Sequence, residues 1–278
     1  MNNNQVKKID YSECFIAFLD VLGFKRMVFS SKQKDRTKIE EYFGLIEEVT
    51  SELKAIEPKK ELGSLIISDS VILSMPVDDN ISTKIDKFRH LCIAVAKIQS
   101  LLALKGIWLR GAISSGEAYF DPKKNNIVGK AYIDAYILAE SKAIYPRVII
   151  DHKIINELDK LSSQDLIDEI NKKTEGGLKF ANWTTDVLFN WQKNDLVEGE
   201  KLVQDVAMFI DYLSPAMKDL DKLRKLISNI EKMIYSDNTV YLKFKWIMTY
   251  LSVNCAGRGG DNLFDREFND FYFKMRRY

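Results

Sequence analysis

A buried strand that ends in a carboxylate is the feature that most restricts this chain. Residues 15–28 read FIAFLDVLGFKRMV, and the apolar run from Phe15 to Leu19 predicts a buried strand. Asp20 follows that run directly. An ionised carboxylate taken out of water needs a partner, so the stretch indicates that Asp20 binds something at the strand end. The alternative is an ordinary turn or helix-cap aspartate.

A second aspartate lies at the tip of a predicted hairpin. The stretch SLIISDSVILSMP has short runs rich in Ile and Val on either side of Ser68, Asp69 and Ser70. Two carboxylates about 4 Å apart repel by several kcal/mol at an effective dielectric near 20, and a divalent cation removes that repulsion. Hard oxygen ligands suit Mg²⁺ or Mn²⁺, which are typically held by one or two carboxylates plus substrate phosphates. Turn chemistry alone also explains a hairpin Asp-Ser pair.

The order of predicted elements favours an α+β fold. Apolar residues recur at helical spacing over residues 35–56 and 81–104, and the hairpin lies between them. GIWLRGAIS predicts a strand, followed by a glycine turn, the short strand AYF, a helix over AYIDAYILAESKAI and the strand VIID. The resulting β-α-β-β-α-β order is ferredoxin-like: a mainly antiparallel sheet with helices on one face. Its first strand is usually central, which would bring Asp20 and Asp69 to one edge of the sheet.

Two regions are predicted along the chain. Residues 1–152 form the α+β domain, and residues 153–278 form a mostly helical C-terminal extension, rich in charge and in patterns such as PAMKDLDKLRKLISNIEKMI. No Pro/Gly-rich linker marks the boundary.

Composition excludes several classes of function. The 41 basic and 40 acidic residues nearly cancel, so no global field attracts nucleic acid or an anionic membrane. No apolar run approaches the roughly 20 residues that span a bilayer, and the polar N-terminus lacks the core of a signal peptide. Cys14, Cys92 and Cys255 are far apart and have no zinc-ligand spacing with the histidines. We therefore expect a cytoplasmic protein with buried thiols, which binds neither nucleic acid nor membrane.

The residues after Asp20 carry a family resemblance. VLGF offers backbone amides, and Gly23 allows close approach to a phosphate just before a predicted helix. FLDVLGFK resembles the opening motif of the class III nucleotide cyclases, the adenylate and guanylate cyclase superfamily. SDSVILS resembles the second metal-binding hairpin of that family, LRGAISSGEAY its central strand and turn, and IVGKAYIDAYILAES its following helix. The motifs occur in the family's order over roughly residues 12–151.

The resemblance implies a two-metal mechanism on a nucleoside triphosphate. Asp20 and Asp69 would bridge two Mn²⁺ or Mg²⁺ ions, and the Val21 carbonyl would complete one of them. The ribose 3′-hydroxyl attacks the α-phosphorus, and pyrophosphate leaves. The expected nucleotide-binding residues are Gly23, Phe24, Ser68 and Asn126.

Departures from the family pattern narrow the expected substrate. Leu65 stands where purine cyclases carry a base-reading lysine, and Asn126 stands where they carry a base-reading acid. An asparagine amide both donates and accepts, as the edge of a pyrimidine requires; the alternative is that Asn126 is a plain loop residue. Ile133 and Ile137 replace the transition-state Asn and Arg. Arg110 is the candidate replacement cation, with Arg26, Lys130 and Arg147 as weaker ones; otherwise Arg110 makes a surface ion pair worth under about 1 kcal/mol.

These departures resemble the pyrimidine cyclases of bacterial Pycsar anti-phage systems, in which a compact cyclase domain precedes a helical extension. The resemblance implies a cytosolic homodimer with active sites between protomers, and Asn126 acting on substrate held by the partner's aspartates. It also implies conversion of UTP, or less favoured CTP, to a cyclic nucleotide that a separate effector protein reads. Two alternatives stay open: an ordinary adenylate or guanylate cyclase, and a catalytically silent nucleotide-binding regulator.

Overall fold

The computed structural model of the chain describes residues 9–56, 61–172, 183–189, 208–236, 238–256 and 270. Its strands are β1 Ser12–Val21, β2 Gly63–Ile67, β3 Ser70–Pro76, β4 Leu109–Asp121, β5 Asn126–Gly129, β6 Val148–Ile150, β7 Leu188–Phe189 and β8 Phe209–Ile210. Its helices are α1 Phe24–Val28, α2 Gln33–Ile56, α3 Ile81–Leu104, α4 Lys130–Lys142, α5 Lys153–Glu157, α6 Ser163–Asn171, α7 Leu220–Ile234 and α8 Asn238–Ala256, with a short 3-10 helix at Ala216–Lys218.

The strands form one mainly antiparallel sheet in the order β2-β3-β1-β4-β6-β8-β7, with β5 paired to β4. Among these neighbours only β4 and β6 run parallel. β1 lies between β3 and β4 and is antiparallel to both. The α+β class, the mainly antiparallel sheet and the central position of the first strand are therefore confirmed. The hairpin and the two long helices also lie where the sequence predicts them.

Helices cover both faces of β1. Phe15 packs against Phe88 of α3, with ring centroids 5.0 Å apart, whereas Phe18 packs against Tyr136 of α4 at 5.3 Å. Because side chains three residues apart on a strand point to opposite faces, α3 and α4 lie on opposite sides of the sheet. The sequence predicts helices on one face of the sheet, whereas the structure has helices on both faces of β1. This explains why β1 is buried at every position from Cys14 to Leu19.

One detail of the predicted sheet is wrong. The sequence predicts a glycine turn after GIWLRGAIS and a separate short strand, but β4 runs without a break from Leu109 to Asp121. Gly116 lies inside this strand with a φ of +130°, a conformation that glycine adopts without steric strain. Gly116 therefore lets the strand continue its pairing with β1, opposite Cys14, instead of ending it.

The described residues beyond 152 extend the same sheet and core. β8 pairs with β6, and β7 pairs with β8. Arg147, fully buried just before β6, lies over the rings of Tyr145, Phe209 and Trp246, with 5.0–5.4 Å between its guanidinium carbon and each ring centroid. Burial lowers the pKa of Arg147 to about 10. The division at residue 152 stays a prediction, since residues on both sides share one buried cluster.

Two expectations from the sequence concern the cysteines and the possibility of a membrane-spanning helix. Cys14 and Cys92 are buried as reduced thiols, and burial raises the pKa of Cys14 to about 12. The side chain of Cys255 lies outside the described residues. Within the described ranges, no helix combines the length and the apolar character needed to cross a bilayer.

Candidate functional site

The double pairing of β1 brings distant parts of the chain to Asp20. Asp20 pairs with Ser70 of β3 on one side and with Arg110 of β4 on the other. Asp69 immediately precedes Ser70, in the turn between β2 and β3. The sheet therefore places Asp20, Asp69 and Arg110 at one edge of the sheet, formed by the ends of neighbouring strands. The sequence predicts this placement for the two aspartates.

Backbone and electrostatic contacts both show that Asp69 is close to the end of β1. The Val21 amide donates to the Asp69 carbonyl oxygen, with 3.0 Å between nitrogen and oxygen. The charge on Asp69 also raises the pKa of Asp20. Asp69 is half-buried, and the adjacent Ser68 is exposed with a φ of +56°. Ser68 and Asp69 thus occupy the turn beside the Asp20 carboxylate.

The surroundings of the Asp20 side chain are unfavourable for a negative charge. Only 18% of its side chain is exposed, and burial is the largest cause that raises its pKa above the usual value. The Arg110 guanidinium lowers that pKa, while the charges of Asp69 and Glu140 raise it further. Three carboxylates and one guanidinium leave a surplus of negative charge at the site. A cation is the species that relieves this surplus.

Arg110 connects Asp20 to a carboxylate on α4. Its Nε donates to Asp20 Oδ2 at 2.9 Å, and its Nη2 donates to Glu140 Oε1 at 2.5 Å. The Arg110 side chain is 18% exposed; its pair with Asp20 is partly buried, whereas its pair with Glu140 is exposed. Sequence reasoning missed Glu140. Its signal is helical spacing: Glu140 follows Ile133 by seven residues and Ile137 by three, which puts all three on one face of α4.

The chain after Asp20 turns sharply at Gly23. Gly23 has a φ of +78° and precedes α1, where the amides of Arg26 and Met27 donate to its carbonyl. Gly23 is exposed, while Phe24 is buried with its ring 6.0 Å from that of Tyr42. The buried Phe24 ring anchors the turn, so its backbone stays next to the two aspartates.

Tyr42 of α2 is a second residue whose place in the site the sequence did not indicate. Its side chain is fully buried, and its hydroxyl has no hydrogen-bond partner among the described residues. Burial, followed by the charges of Asp69 and Asp20, raises the pKa of this phenol. Periodicity marked Tyr42 only as part of an apolar helix face, because a buried hydroxyl leaves no trace in such a pattern.

Asn126 lies far from Asp20 within one chain. It pairs with Asp121 at the far end of β4, whereas Asp20 pairs with Arg110 near the start of that strand. Residues 110 and 121 are eleven positions apart, which is roughly 35 Å along a strand at about 3.3 Å per residue. Asn126 and Asp20 of the same chain therefore do not form one site.

The other residues considered for a phosphate-binding role have different environments. Ile133 and Ile137 on α4 are 46% and 56% exposed, so neither is part of the core. Arg147 is fully buried among aromatic rings, and Lys130 pairs with Asp134. Arg26 is exposed on α1. Arg110 contacts Asp20 through an ion pair.

The donor set suits a hard divalent cation shared with a substrate. The described residues contain no group of three or more His, Cys, Asp or Glu side chains placed to hold a metal ion by themselves. Two carboxylates at one edge are the donors that Mg²⁺ and Mn²⁺ use when substrate phosphates and water fill the other positions. The residues present therefore fit such an ion only as part of a complex with a phosphate ligand.

Comparison with known proteins gives only distant matches. Neither a family model nor a curated protein matches the chain. Among solved structures, the adenylyl cyclase CyaB from P. aeruginosa is 14% identical with a TM-score of 0.41, over 73% of this chain and 95% of that one. The monomeric guanylyl cyclase domain of the RhoGC fusion protein from the aquatic fungus Blastocladiella emersonii is 15% identical with a TM-score of 0.38, over 55% and 89%. At these levels the likenesses carry no functional information.

A matched pair of glycine substitutions tests the turn. Gly23 and Gly44 are both exposed, and a Cβ at either would meet no atom within 4 Å. Gly23→Ala should lower the free energy of unfolding by about 1 kcal/mol, because a φ of +78° strains an alanine. Gly44→Ala, within α2, should raise it by about 0.5–1 kcal/mol. Urea denaturation measures both changes, and a Gly23→Ala variant as stable as Gly44→Ala would contradict the left-handed turn.

Proposed function

We propose that this chain is a nucleotide cyclase, which converts a nucleoside triphosphate to the 3′,5′-cyclic nucleotide and pyrophosphate. The observation that carries the proposal is the pairing of β1 with both β3 and β4, because it gathers Asp20, Asp69 and Arg110 at one edge. These are the residues to which the resembling motifs give metal-binding and phosphate-binding roles. The surplus negative charge at this edge supports a cation-dependent reaction.

Each residue of the site has a defined task in this proposal. Two Mg²⁺ or Mn²⁺ ions, when bound, lower the pKa of the ribose 3′-hydroxyl and offset the charge on the phosphates. Asp20 and Asp69 would hold them, with the Val21 carbonyl as a further ligand. Arg110 donates to the phosphoryl oxygens on which charge develops. The backbone of Gly23 and Phe24, together with Ser68, holds the triphosphate.

We further propose that the substrate is a pyrimidine nucleotide, UTP in preference to CTP. Leu65, at the position of the family's base-reading lysine, is buried on β2 and offers no donor to a purine. Asn126 replaces the base-reading acid and is exposed at the start of β5. On the resemblance to Pycsar cyclases, the product is a signal in anti-phage defence that a separate effector protein reads.

The proposal requires a homodimer. Because Asn126 is roughly 35 Å along β4 from the level of Asp20, it can read a base only on substrate held by another copy. The exposed apolar side chains of Ile133, Tyr136 and Ile137 form an α4 surface beside Arg110 that a second copy would cover. Each active site would then combine Asp20 and Asp69 of one protomer with Asn126 of its partner.

A catalytically silent nucleotide-binding regulator is the second candidate function. The exposed isoleucines 133 and 137 favour it, because they occupy the positions of the family's transition-state Asn and Arg. Incubation with ATP, GTP, CTP and UTP in Mn²⁺, followed by mass spectrometry of the products, separates the candidates. Cyclic UMP supports the pyrimidine cyclase, cyclic AMP or GMP an ordinary purine cyclase, and binding without any cyclic product the silent regulator.

Removal of either aspartate should abolish turnover. Asp20→Asn and Asp69→Asn each keep the shape of the side chain but lose the charge that holds a cation, so kcat should fall by at least about a hundredfold. Asp79→Asn, in the exposed loop after β3, is the matched control and should retain the parental rate. Product formation is measured in Mn²⁺, with thermal unfolding as a check on folding. A full-rate Asp69→Asn variant would contradict the two-metal site.

Mixing two inactive variants should restore activity if the sites are shared between protomers. Asp69→Asn damages the metal half of a site, and Asn126→Ala damages the base-reading half. In a heterodimer of the two, one site carries both defects and the other carries neither, so a randomly exchanged mixture should recover about a quarter of the parental activity. An inactive mixture, with exchange verified by differently tagged copies, would contradict the shared site.

A further inference from the structure

We propose that Glu140 is a positioning residue, which keeps Arg110 in the site when a divalent cation takes over Asp20. The inference rests on the proposed function, since it concerns the same carboxylate and the same cation. Glu140 lies within the stretch IVGKAYIDAYILAES, but the sequence analysis gave it no role toward metal or phosphate. Among the described residues, its hydrogen-bonded contact with the site is through Arg110.

The two ion pairs of Arg110 use separate parts of the guanidinium. Nε donates to Asp20 and Nη2 donates to Glu140, at 2.9 and 2.5 Å. An arginine carries five N–H donors in a rigid fork, so the bond to Asp20 can break while the bond to Glu140 remains. Arg110 is therefore held from two sides: by β1 through Asp20 and by α4 through Glu140.

The position of Glu140 is fixed by packing. Tyr136, one helical turn earlier on α4, packs edge-on against Phe18 of β1 with 5.3 Å between ring centroids. Residues four apart on a helix lie on the same side, so this contact orients the face of α4 that carries Glu140. The carboxylate is 45% exposed, yet its backbone is anchored to the strand that carries Asp20. Glu140 is thus placed beside the site by the core.

A cation at Asp20 and the guanidinium of Arg110 compete for one carboxylate. Both are positive, and Asp20 Oδ2 already accepts from Arg110 Nε. Without a second anion, Arg110 would either stay on Asp20 and oppose the cation, or leave for solvent and be lost to the phosphates. Glu140 offers a charged acceptor outside the aspartate pair. Arg110 can then release Asp20 and remain next to the substrate.

This chain depends on such a device because of its α4 residues. Where the resemblance places a transition-state Asn and Arg, α4 carries Ile133 and Ile137, and on the same face it carries Glu140. The helix therefore contributes no cation of its own at these positions. It contributes instead a carboxylate that holds the cation of the neighbouring strand.

A double-mutant cycle on cation binding tests the inference. The full-length parent, Glu140→Gln, Arg110→Gln and the double variant are titrated with Mn²⁺ in the presence of a UTP analogue that lacks the 3′-hydroxyl. Free Mn²⁺ is measured by electron paramagnetic resonance, against a titration of the analogue alone. Glu140→Gln alone should weaken Mn²⁺ binding about three- to tenfold, because Arg110 then stays on Asp20. In the Arg110→Gln background the same change should have an effect below about twofold, since there is no guanidinium left to hold.

Kinetics with UTP gives a second readout. Glu140→Gln should lower kcat by about tenfold with little change in KM, since a misplaced Arg110 is missed mainly where phosphoryl charge develops. Glu140→Asp, which keeps the charge, should recover part of the loss. Glu52→Gln is the matched control, because Glu52 is similarly exposed and is the ion-pair partner of a similarly half-buried cation, Lys97 on α3. This control should leave Mn²⁺ binding and kcat unchanged.

Two outcomes would overturn the inference. An equal loss of Mn²⁺ affinity in both Arg110 backgrounds would mean that Glu140 acts only as a nearby charge, and no loss in either would mean a plain surface ion pair. Because the titration needs no product, the inference and the proposed function fail separately. Coupled Mn²⁺ binding without any cyclic product rejects the cyclase and supports the positioning role. Cyclic product with no effect of Glu140→Gln rejects the positioning role alone.

Discussion

Asp20 lies on a strand that is hydrogen-bonded on both sides, and this double pairing determines where the other site residues lie. β3 brings the Ser68–Asp69 turn to one side of Asp20, and β4 brings Arg110 to the other. Helices cover both faces of β1, so its register is fixed by the core. A shift of one residue would move every side chain of the strand to the opposite face and would separate Asp20 from its neighbours. The packing of apolar residues around β1 thus stabilises a concentration of charge at its end.

That concentration of charge is only partly balanced within the chain. Arg110 is the internal counterion of Asp20, and Glu140 shares it, which leaves Asp69 to add to the negative charge. A protein can keep such an unfavourable arrangement when a ligand completes it, and sites of this kind are where function is found. On the proposed function, the same imbalance would let Arg110 belong to the site without a bound cation and also donate to the phosphates. In that proposal it releases Asp20 and keeps its bond to Glu140 as the cation binds.

The two aspartates of the site could be predicted from the sequence more readily than the residues around them. Asp20 and Asp69 could be brought together because the first strand of a split β-α-β-β sheet is usually central and can neighbour the hairpin. Helical periodicity located α2 and α3, whose apolar faces are long and regular. Glu140 could not be predicted, since the side of α4 that faces Arg110 depends on the packing of Tyr136 against Phe18. Gly116 was misread because a glycine inside a strand has the same local signal as a turn. The short strands β7 and β8 have too few residues for any periodic pattern.

The central claim is that Asp20 and Asp69 together hold divalent cations over a triphosphate. It is tested most directly by growing crystals with Mn²⁺ and a non-cyclisable UTP analogue that lacks the 3′-hydroxyl, and by recording anomalous scattering at the manganese edge. The account predicts manganese peaks within about 2.1–2.3 Å of carboxylate oxygens of both Asp20 and Asp69, a distance typical of small hard cations on oxygen ligands. Bound analogue with no manganese peak at these carboxylates, or with peaks only elsewhere, would contradict it.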